Sequence, residues 1–340
     1  MEYALNGTLD TVNITVLITT RNRPSGLRQT LQSLLNASNI HAGNWETLVI
    51  SQDYDRANGS IQVCQEFLAR FPNHFRFLVQ EKTGKCNAQN LGITAARGDI
   101  LALTDDDVLV APDYIESIRN VFERYSPDAV QGRVLLDCEG GLPTWLSPRQ
   151  AAAMGECDHG DEVLDWNHHT LFGTNAAVRL QAARTVGGFS AELGPGTAVG
   201  FADDSEFSFR LRQAGYRFVY APQVVARHQI PRSRLTRSYF RKRSFRLGRS
   251  KAYYDYDPLP EIPFWRYSLY AAKYALLKEA QALRHACRNR PAEALDYQCY
   301  AREKLGFLWQ HCRFRFGQPR RLSRADFREL RETATMSRDA

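Results

Sequence analysis

Short apolar runs alternate with amphipathic segments along the first 110 residues. The run at 13–20 is rich in β-branched residues and ends in a polar loop with a proline, which is typical of a buried parallel strand. Similar runs lie at 47–50 and 75–79, and another ends at Asp105. Leucines at helical spacing follow the first run, and comparable patterns separate the others. The alternation predicts an α/β fold, a mostly parallel twisted Rossmann-like sheet with flanking helices.

The last third of the chain has a different pattern. Aromatic and leucine residues recur at helical spacing at 264–284 and again at 291–316, where a proline begins and a glycine ends the second run. We interpret 231–320 as a basic helical appendage and 321–340 as a mobile polar tail.

Polar clusters follow the predicted strands. They lie at 20–23, at Asp53, at 82–90 and at 105–107. In open α/β sheets, ligands bind at the carboxyl ends of the strands. We therefore expect all four clusters on one edge of the sheet, where they would form a binding site.

Three consecutive carboxylates, Asp105, Asp106 and Asp107, stand in the last of these clusters. Acids this close repel one another and are costly to bury without a positive partner. The spacing of Asp105 and Asp107 places both side chains on one side of an extended backbone, which suits a hard cation such as Mg²⁺ or Mn²⁺. The alternative is a solvated acidic turn that caps the helix beginning near Pro112.

Cysteine content, terminal pattern and charge indicate the cellular compartment and the charge distribution of the chain. The seven cysteines are scattered without a C-x-x-C pair, which argues against a zinc knuckle or disulfide framework and favours a reducing compartment. The first residues show no secretory pattern, and no stretch approaches the ~18 apolar residues of a membrane-spanning helix. The net charge is +7, and residues 227–251 contain ten Lys/Arg and no Asp/Glu.

Four segments resemble the inverting glycosyltransferases of family 2, which have the A-type nucleotide-sugar transferase fold. They are TTRNRP (19–24), GKCNAQNLGITAARGDILALTDDDVLVAPDYI (84–115), GTNAAVRLQAARTVGGFSAELGPG (173–196) and FADDSEFSFRLRQAGYRFVYAP (201–222), in the family's order. The resemblance covers roughly residues 12–230. It implies a donor-binding half at 1–110, and an acceptor and catalytic-base half of the same domain at 111–230.

The resemblance implies a nucleotide-diphospho-sugar donor, with a UDP-sugar favoured. Thr20, Arg23 and Asp53 would hold the base and ribose, and Lys85 and Asn90 would lie near the diphosphate or sugar. An ordinary turn aspartate is the alternative for Asp53, and a plain helix N-cap is the alternative for the loop around Lys85.

By the same resemblance, Asp105 and Asp107 are the metal pair for Mn²⁺ or Mg²⁺, and Asp106 contacts the ribose or sugar. His228 completes the metal site in many members of the fold, and a structural histidine at a strand end is the alternative.

The acceptor side is expected around Trp166, Gly173 and Asn175, because that segment mixes aromatic and hydrogen-bonding groups suited to sugar rings. Core packing is the alternative for Trp166. Asp204 aligns best with the family's catalytic base, and Asp203 is the second candidate. A simple capping cluster at a helix start is the alternative for these acids.

The basic stretch at 227–251 has three candidate partners. It could clamp the donor diphosphate, or bind an anionic inner-membrane surface, or bind nucleic acid. No nucleic-acid-binding fold supports the third, so we expect no nucleic acid partner. The expected location is cytoplasmic, either free or peripheral on the inner membrane.

The resemblance implies a metal-dependent inverting glycosyltransferase that moves a sugar to a hydroxyl of a saccharide or lipid-linked acceptor, in surface polysaccharide or glycan biosynthesis. One alternative is a retaining transferase of the same fold, without a base at Asp204. A nucleotidyltransferase would need a Gly-rich basic signature, which residues 13–24 lack. A non-catalytic scaffold that binds polysaccharide or membrane is the last alternative, and the acids at 105, 107 and 204 argue against it.

Overall fold

The computed structural model describes residues 14–37, 44–52, 59–197, 200–254 and 263–317, which form one mixed sheet with flanking helices and three long C-terminal helices. The strands are β1 (Ile14–Thr20), β2 (Trp45–Ser51), β3 (Phe75–Val79), β4 (Ile100–Asp105), β5 (Val108–Val110), β6 (Ala129–Cys138), β7 (Leu164–Asp165), β8 (Asn175–Arg179) and β9 (Phe218–Ile230). The helices are α1 (Pro24–Ala37), α2 (Ser60–Arg70), α3 (Lys85–Ala95), α4 (Tyr114–Tyr125), α5 (Pro148–Ala153), α6 (Leu180–Thr185), α7 (Asp203–Gln213), α8 (Arg237–Tyr254), α9 (Phe264–Cys287) and α10 (Pro291–Phe316), with a 3₁₀ turn at Arg232–Arg234.

The strand order explains how the predicted clusters meet. The sheet runs β3-β2-β1-β4-β8-β6-β9-β5, and β7 pairs with β9. The first four strands in this order are parallel, whereas β8 is antiparallel to both β4 and β6, and β5 is antiparallel to β9. The expected α/β architecture is confirmed, with antiparallel strands joining the two halves of the sheet.

Two pairings place the acidic cluster. Thr19 of β1 lies opposite Asp105 of β4, so the loop after β1 lies beside the acids. Val108 of β5 lies opposite His228 of β9, so the histidine is brought next to the residue that follows Asp107. The parallel register joins residues 86 positions apart in the sequence, and the antiparallel register joins residues 120 positions apart.

Helices cover both faces of the sheet. Successive side chains of a strand point to opposite faces, so neighbouring residues of one strand pack against different helices. Ile14, Val16 and Ile18 pack with α1, α2 and α4 on one face. Leu17 packs on the other face, with α3, α6 and α7. Continuous apolar strands of this kind are typical of a sheet covered on both sides.

The three C-terminal helices confirm the predicted helical extension. α10 packs against both α8 and α9. Gly306 of α10 lies directly against the backbone carbonyl of Phe245 in α8, which leaves no room for a side chain there. Phe240 and Leu295 pack with Met154 and Ile230 and so fix the helices to the sheet.

Among the described residues, no helix is both long enough and apolar enough to cross a bilayer. Asp53 and the predicted mobile tail at 321–340 lie outside the described residues. The predicted boundaries at 110 and 230 stay predictions, although the sheet itself extends across position 110.

Candidate active site

A cavity of about 390 Å³ lies at the carboxyl ends of β1, β2 and β4, within the size range of small-molecule pockets. Most of the predicted site residues line it: Thr20, Arg23, Lys85, Asp105, Asp106, Asp107, Asp204 and His228. The clusters at 20–23, 82–90 and 105–107 therefore converge on one edge of the sheet as expected, whereas Asp53 lies outside the described residues.

Arg23 joins the loop after β1 to two of the acids. Its guanidinium donates to Oδ1 of Asp106 at 2.7 Å and to Oδ2 of Asp107 at 2.9 Å. The hydroxyl of Thr20 donates to Oδ2 of Asp106 at 2.7 Å. Burial raises the pKa of Asp106 to about 6, although Arg23 and Thr20 act in the opposite direction. Both oxygens of Asp106 are thus engaged by the protein.

Asp107 and His228 form the second part of the site. Nε2 of His228 lies 3.5 Å from Oδ2 of Asp107, and Nδ1 donates to the carbonyl oxygen of Met154 at 2.8 Å. Because a carbonyl can only accept, Nδ1 carries a proton and Nε2 faces the carboxylate. Burial works against the charge of Asp107, but His228, Arg23 and Arg234 outweigh it and hold the pKa of Asp107 below its usual range.

Lys85 forms the third part, at the start of α3. Its Nζ donates to Oδ1 of Asp105 at 2.5 Å, and the Thr174 hydroxyl lies 3.4 Å from Oδ2 of the same carboxylate. Burial opposes the charge of Lys85, but Asp105, Asp204 and Asp203 together raise the pKa of Lys85 above its ordinary value. The helix is capped by Gly84 without a side-chain hydrogen bond, so the simple side-chain N-cap proposed as the alternative is absent.

Asp204 stands in the first turn of α7 and lines the cavity. The backbone N–H of Gly173 donates to its Oδ2 at 3.1 Å. Burial, followed by the charge of Asp203, raises the pKa of Asp204 to about 7, although Lys85 and Gly173 oppose the shift. Asp203 is buried and does not line the cavity. The geometry therefore favours Asp204 over Asp203 as a group that meets a substrate.

The side chains near the acids can be compared with the ligands that the expected divalent cation needs. The described residues hold no ready-made cluster of three His, Cys, Asp or Glu ligands. Asp107 and the Nε2 atom of His228 do form a pair that fits a cation, because the Met154 carbonyl orients the ring as outer partners of metal-bound histidines do. Hard cations commonly take one or two protein ligands and complete their shell with substrate phosphates. Asp105 is paired with Lys85, and Oδ2 of Asp107 is also paired with Arg23. The assignment of Asp105, Asp107 and His228 as metal ligands stays a prediction.

Two expected binding residues have other partners. The amide of Asn90 exchanges two hydrogen bonds with the backbone of Phe189, at 2.8 and 2.7 Å, and so fixes α3 to the loop after α6 instead of lining the cavity. Trp166 is buried, donates to the carbonyl of Thr170 and stacks on His169 at 4.2 Å. Its alternative role, core packing, is the one observed.

Asn175 is the third expected binding residue that has other partners. It is buried, accepts from the Tyr114 hydroxyl at 3.1 Å and donates to the carbonyls of Arg133 and Val224, each at 2.9 Å. All of these partners belong to the interior, so Asn175 holds β6, β8 and β9 together. Of the expected acceptor segment, Gly173 is the residue that touches the site, through its contact with Asp204.

Several lining residues were not among the predicted site residues. Arg234 lies 3.4 Å from Oδ2 of Asp107, and Arg243 reaches the cavity from α8. The guanidinium of Arg243 packs over the Phe201 ring and beside Tyr239, and burial lowers the pKa of Arg243. The basic run at 227–251 was a signal for both arginines. No sequence signal pointed to Met154, whose backbone carbonyl accepts from His228.

The sequence matches the model of glycosyl transferase family 2 over residues 15–187. The chain belongs to this family. The predicted resemblance is thus confirmed, and so is the expected enzyme class at the level of the family.

Glycosyltransferase names recur among its relatives. A glucosyl-dolichyl phosphate glucuronosyltransferase of Haloferax volcanii is 29% identical over 189 residues, 50% of this chain and 58% of that protein. A pre-mycofactocin glycosyltransferase of Mycobacterium tuberculosis is 28% identical over 221 residues, 64% of this chain and 42% of that protein.

The chain spans about half the length of these curated relatives. Among solved structures, it is similar to a mannosyltransferase of Pyrobaculum calidifontis in complex with GDP-Man and Mn²⁺. The TM-score is 0.57 at 19% identity, with 94% of this chain and 91% of that chain covered. The structure of GalNAc-T7 with UDP, GalNAc and Mn²⁺ gives a TM-score of 0.51 at 14% identity, with coverage of 74% and 53%. These likenesses confirm the A-type fold.

Proposed function

We propose that this chain transfers a sugar from a nucleotide-diphospho-sugar to a hydroxyl of a saccharide or lipid-linked acceptor, with inversion at the anomeric carbon, in glycan biosynthesis. The observation that carries the proposal is one cavity that is lined both by Asp204 and by the Asp107–His228 pair. Family membership supports the reaction class. A relative whose name includes a dolichyl phosphate sugar supports the lipid-linked class of acceptor.

The donor would bind through its charge. Lys85, Arg234 and Arg243 line the cavity, and Arg243 faces an aromatic ring and a phenol instead of a carboxylate. A desolvated guanidinium of this kind suits a diphosphate, which it can bind bidentately. A divalent cation held by Asp107 and His228 would supply Lewis-acid stabilisation of the leaving diphosphate. The solved relatives hold GDP-Man in one case and UDP in the other, so the UDP preference stays a prediction.

Asp204 would act as the general base. It accepts the proton of the acceptor hydroxyl while that oxygen forms a bond to the anomeric carbon and the bond from that carbon to the diphosphate oxygen breaks. The attack comes from the face opposite the leaving group, so one displacement inverts the configuration. The Gly173 N–H keeps the carboxylate oriented. A pKa near 7 leaves this base ready to take a proton at neutral pH.

The first experiment is thermal unfolding with UDP, GDP, dTDP and CMP, each with and without Mn²⁺. A nucleotide at 100 times its dissociation constant adds ~2.7 kcal/mol, a shift of several degrees. We expect a shift for one nucleotide that requires Mn²⁺ and is lost in Asp107→Asn. Asp99→Asn is the matched control, since Asp99 is an exposed acid near the start of β4. Absence of any shift would favour the scaffold alternative.

The anomeric configuration of the product separates the inverting mechanism from the retaining one. After the donor class is known, NMR of the first product formed would show the inverted anomer. A retained configuration would remove the general-base role of Asp204, because a retaining transferase of this fold needs no base there.

A further inference from the structure

A groove outside the active site is strongly basic. It lies between α8 and α10 and is lined by Ser238, Arg241, Lys242, Phe245, Arg246, Arg249 and Arg302. None of these described lining residues is acidic. Lys242, Arg246 and Arg302 are exposed, and Trp309 lies at the edge with Arg249 over its ring. Five basic side chains line this groove and a tryptophan stands at its edge, a combination that suits a partner surface with many negative charges.

Helix α9 exposes an apolar stripe. Its buried face, with Tyr267, Ala271 and Ala275, packs toward α10. On the other side, the exposed residues follow one another at helical spacing: Trp265, Leu269, Ala272, Leu276 and Leu283. Three of them, Leu269, Leu276 and Leu283, are each more than 60% exposed. The eighteen helical steps from Trp265 to Leu283 make the stripe about 27 Å long.

The stripe has a basic edge. Arg266, Lys273, Arg284 and Arg288 are exposed, and their spacing places them along one side of it. An apolar stripe that includes a tryptophan and is flanked by basic side chains is the pattern of helices that lie in a membrane interface. Exposed apolar stretches of this size are rare on isolated surfaces and mark interaction sites.

The groove and the stripe adjoin each other. Arg302 lines the groove and also reaches Glu279 of α9, at 3.5 Å. Glu279 stands three residues after Leu276 and four before Leu283, so it borders the stripe. Glu279 is also the only acid in α9. The groove and the stripe therefore adjoin at this pair, and we call them together the α8–α9 face.

We propose that the α8–α9 face docks on an anionic lipid bilayer, with the stripe inserted at the headgroup level and the groove holding lipid phosphates. A second copy of this chain fits less well, because it would bring the basic edges of two stripes together. Nucleic acid would use the groove but leave the stripe exposed to water. The charge of the surface thus selects the bilayer.

The same helix serves both surfaces. Tyr239 and Arg243 of α8 line the active-site cavity, and Lys242 and Arg246 line the groove. Docking would therefore hold the cavity one helix away from the bilayer, where the hydroxyl of a lipid-linked acceptor is presented. This consequence rests on the proposed function, whereas the docking itself does not.

The test is co-sedimentation of the full chain with vesicles, without donor or acceptor. We expect at least tenfold stronger binding to equimolar phosphatidylglycerol and phosphatidylcholine than to phosphatidylcholine alone, and weaker binding at high salt. Lys242→Glu with Arg246→Glu should lose at least tenfold. Arg97→Glu with Arg124→Glu is the matched control, since it makes the same charge change at exposed residues of the sheet domain.

The stripe is tested separately. Leu276→Glu should weaken vesicle binding at least tenfold, while Leu142→Glu, at an exposed loop leucine, should change it less than twofold. Equal binding to neutral and anionic vesicles would overturn the proposal. So would a Leu276→Glu protein that binds vesicles normally but changes from dimer to monomer in light scattering, because the stripe would then join two copies. Asp107→Asn should bind vesicles like the wild type, so failure of the donor site and failure of docking can be told apart.

Discussion

The backbone N–H of Gly173 donates to Oδ2 of Asp204 at 3.1 Å, and a Cβ at position 173 would lie 2.9 Å from Oδ1 of the same carboxylate. Only glycine lets the chain come this close to the proposed base. Gly173→Ala should therefore move the carboxylate and lower kcat by roughly tenfold to a hundredfold, as small misplacements of reacting groups do. The melting temperature should change little. Gly317→Ala, where the added Cβ meets nothing within 4 Å, is the control and should keep full activity.

The rate should depend on the ionisation of Asp204. Its pKa is raised to about 7, and only the deprotonated form can take a proton from the acceptor. We expect kcat/KM to rise with pH up to about 7 and to level off above it, and Asp204→Asn to abolish transfer. Nucleotide binding, followed by thermal shift at each pH, should persist in the variant. A flat profile between pH 5.5 and 8, or an active Asn variant, would disprove the base assignment.

Stability should change with pH in the opposite direction. The folded protein holds a proton on Asp204 up to about pH 7, whereas the unfolded chain releases it near pH 4. The folded state therefore binds more protons in this window, and stability falls as pH rises through it. The Asn side chain in Asp204→Asn carries no charge, so the variant lacks the destabilisation by a buried carboxylate. Its melting temperature should therefore exceed that of the wild type by several degrees at pH 8. The difference should vanish near pH 4. A lower melting temperature at pH 8 would show that the charged carboxylate stabilises the fold.

His228 should matter for the cation more than for the nucleotide. The Met154 carbonyl directs Nε2 toward Asp107, so His228→Ala should raise the Mn²⁺ concentration needed for half-maximal activity roughly tenfold or more. Nucleotide affinity measured without metal should stay the same. His168→Ala, at an exposed histidine, serves as the control. If both variants require the same Mn²⁺ as the wild type, His228 is a structural histidine.

A substitution at Asn175 distinguishes a structural role of this residue from the expected role in acceptor binding. Asn175→Ala leaves the Tyr114 hydroxyl and the carbonyls of Arg133 and Val224 without their buried partner. We expect the free energy of unfolding to fall by about 3 kcal/mol, which denaturant titration would measure. The KM for the acceptor should be unchanged at a temperature where the variant is folded. A variant with normal stability and a raised acceptor KM would restore the original assignment.

Local patterns predicted much of the fold because hydrophobic periodicity reports which face of an element is buried. The run before Asp105 is β4, and the periodic segments at 264–284 and 291–316 lie within α9 and α10. The position of the acids at a strand end placed them at the ligand edge of the sheet, since ligands bind there in open α/β sheets.

By itself, the sequence determined the α/β alternation, the family and the side chains able to carry the chemistry. The tertiary structure decided which of those side chains face the cavity. Asn90, Trp166 and Asn175 have suitable chemistry but face the interior, because they contact segments distant in the chain: Phe189, Tyr220 and Val224 respectively. The Met154 carbonyl and the register of β5 against β9 orient His228, and neither has a signature in local sequence. Polar side chains can be read from a sequence, but the direction each one points is set by packing between segments far apart in the chain.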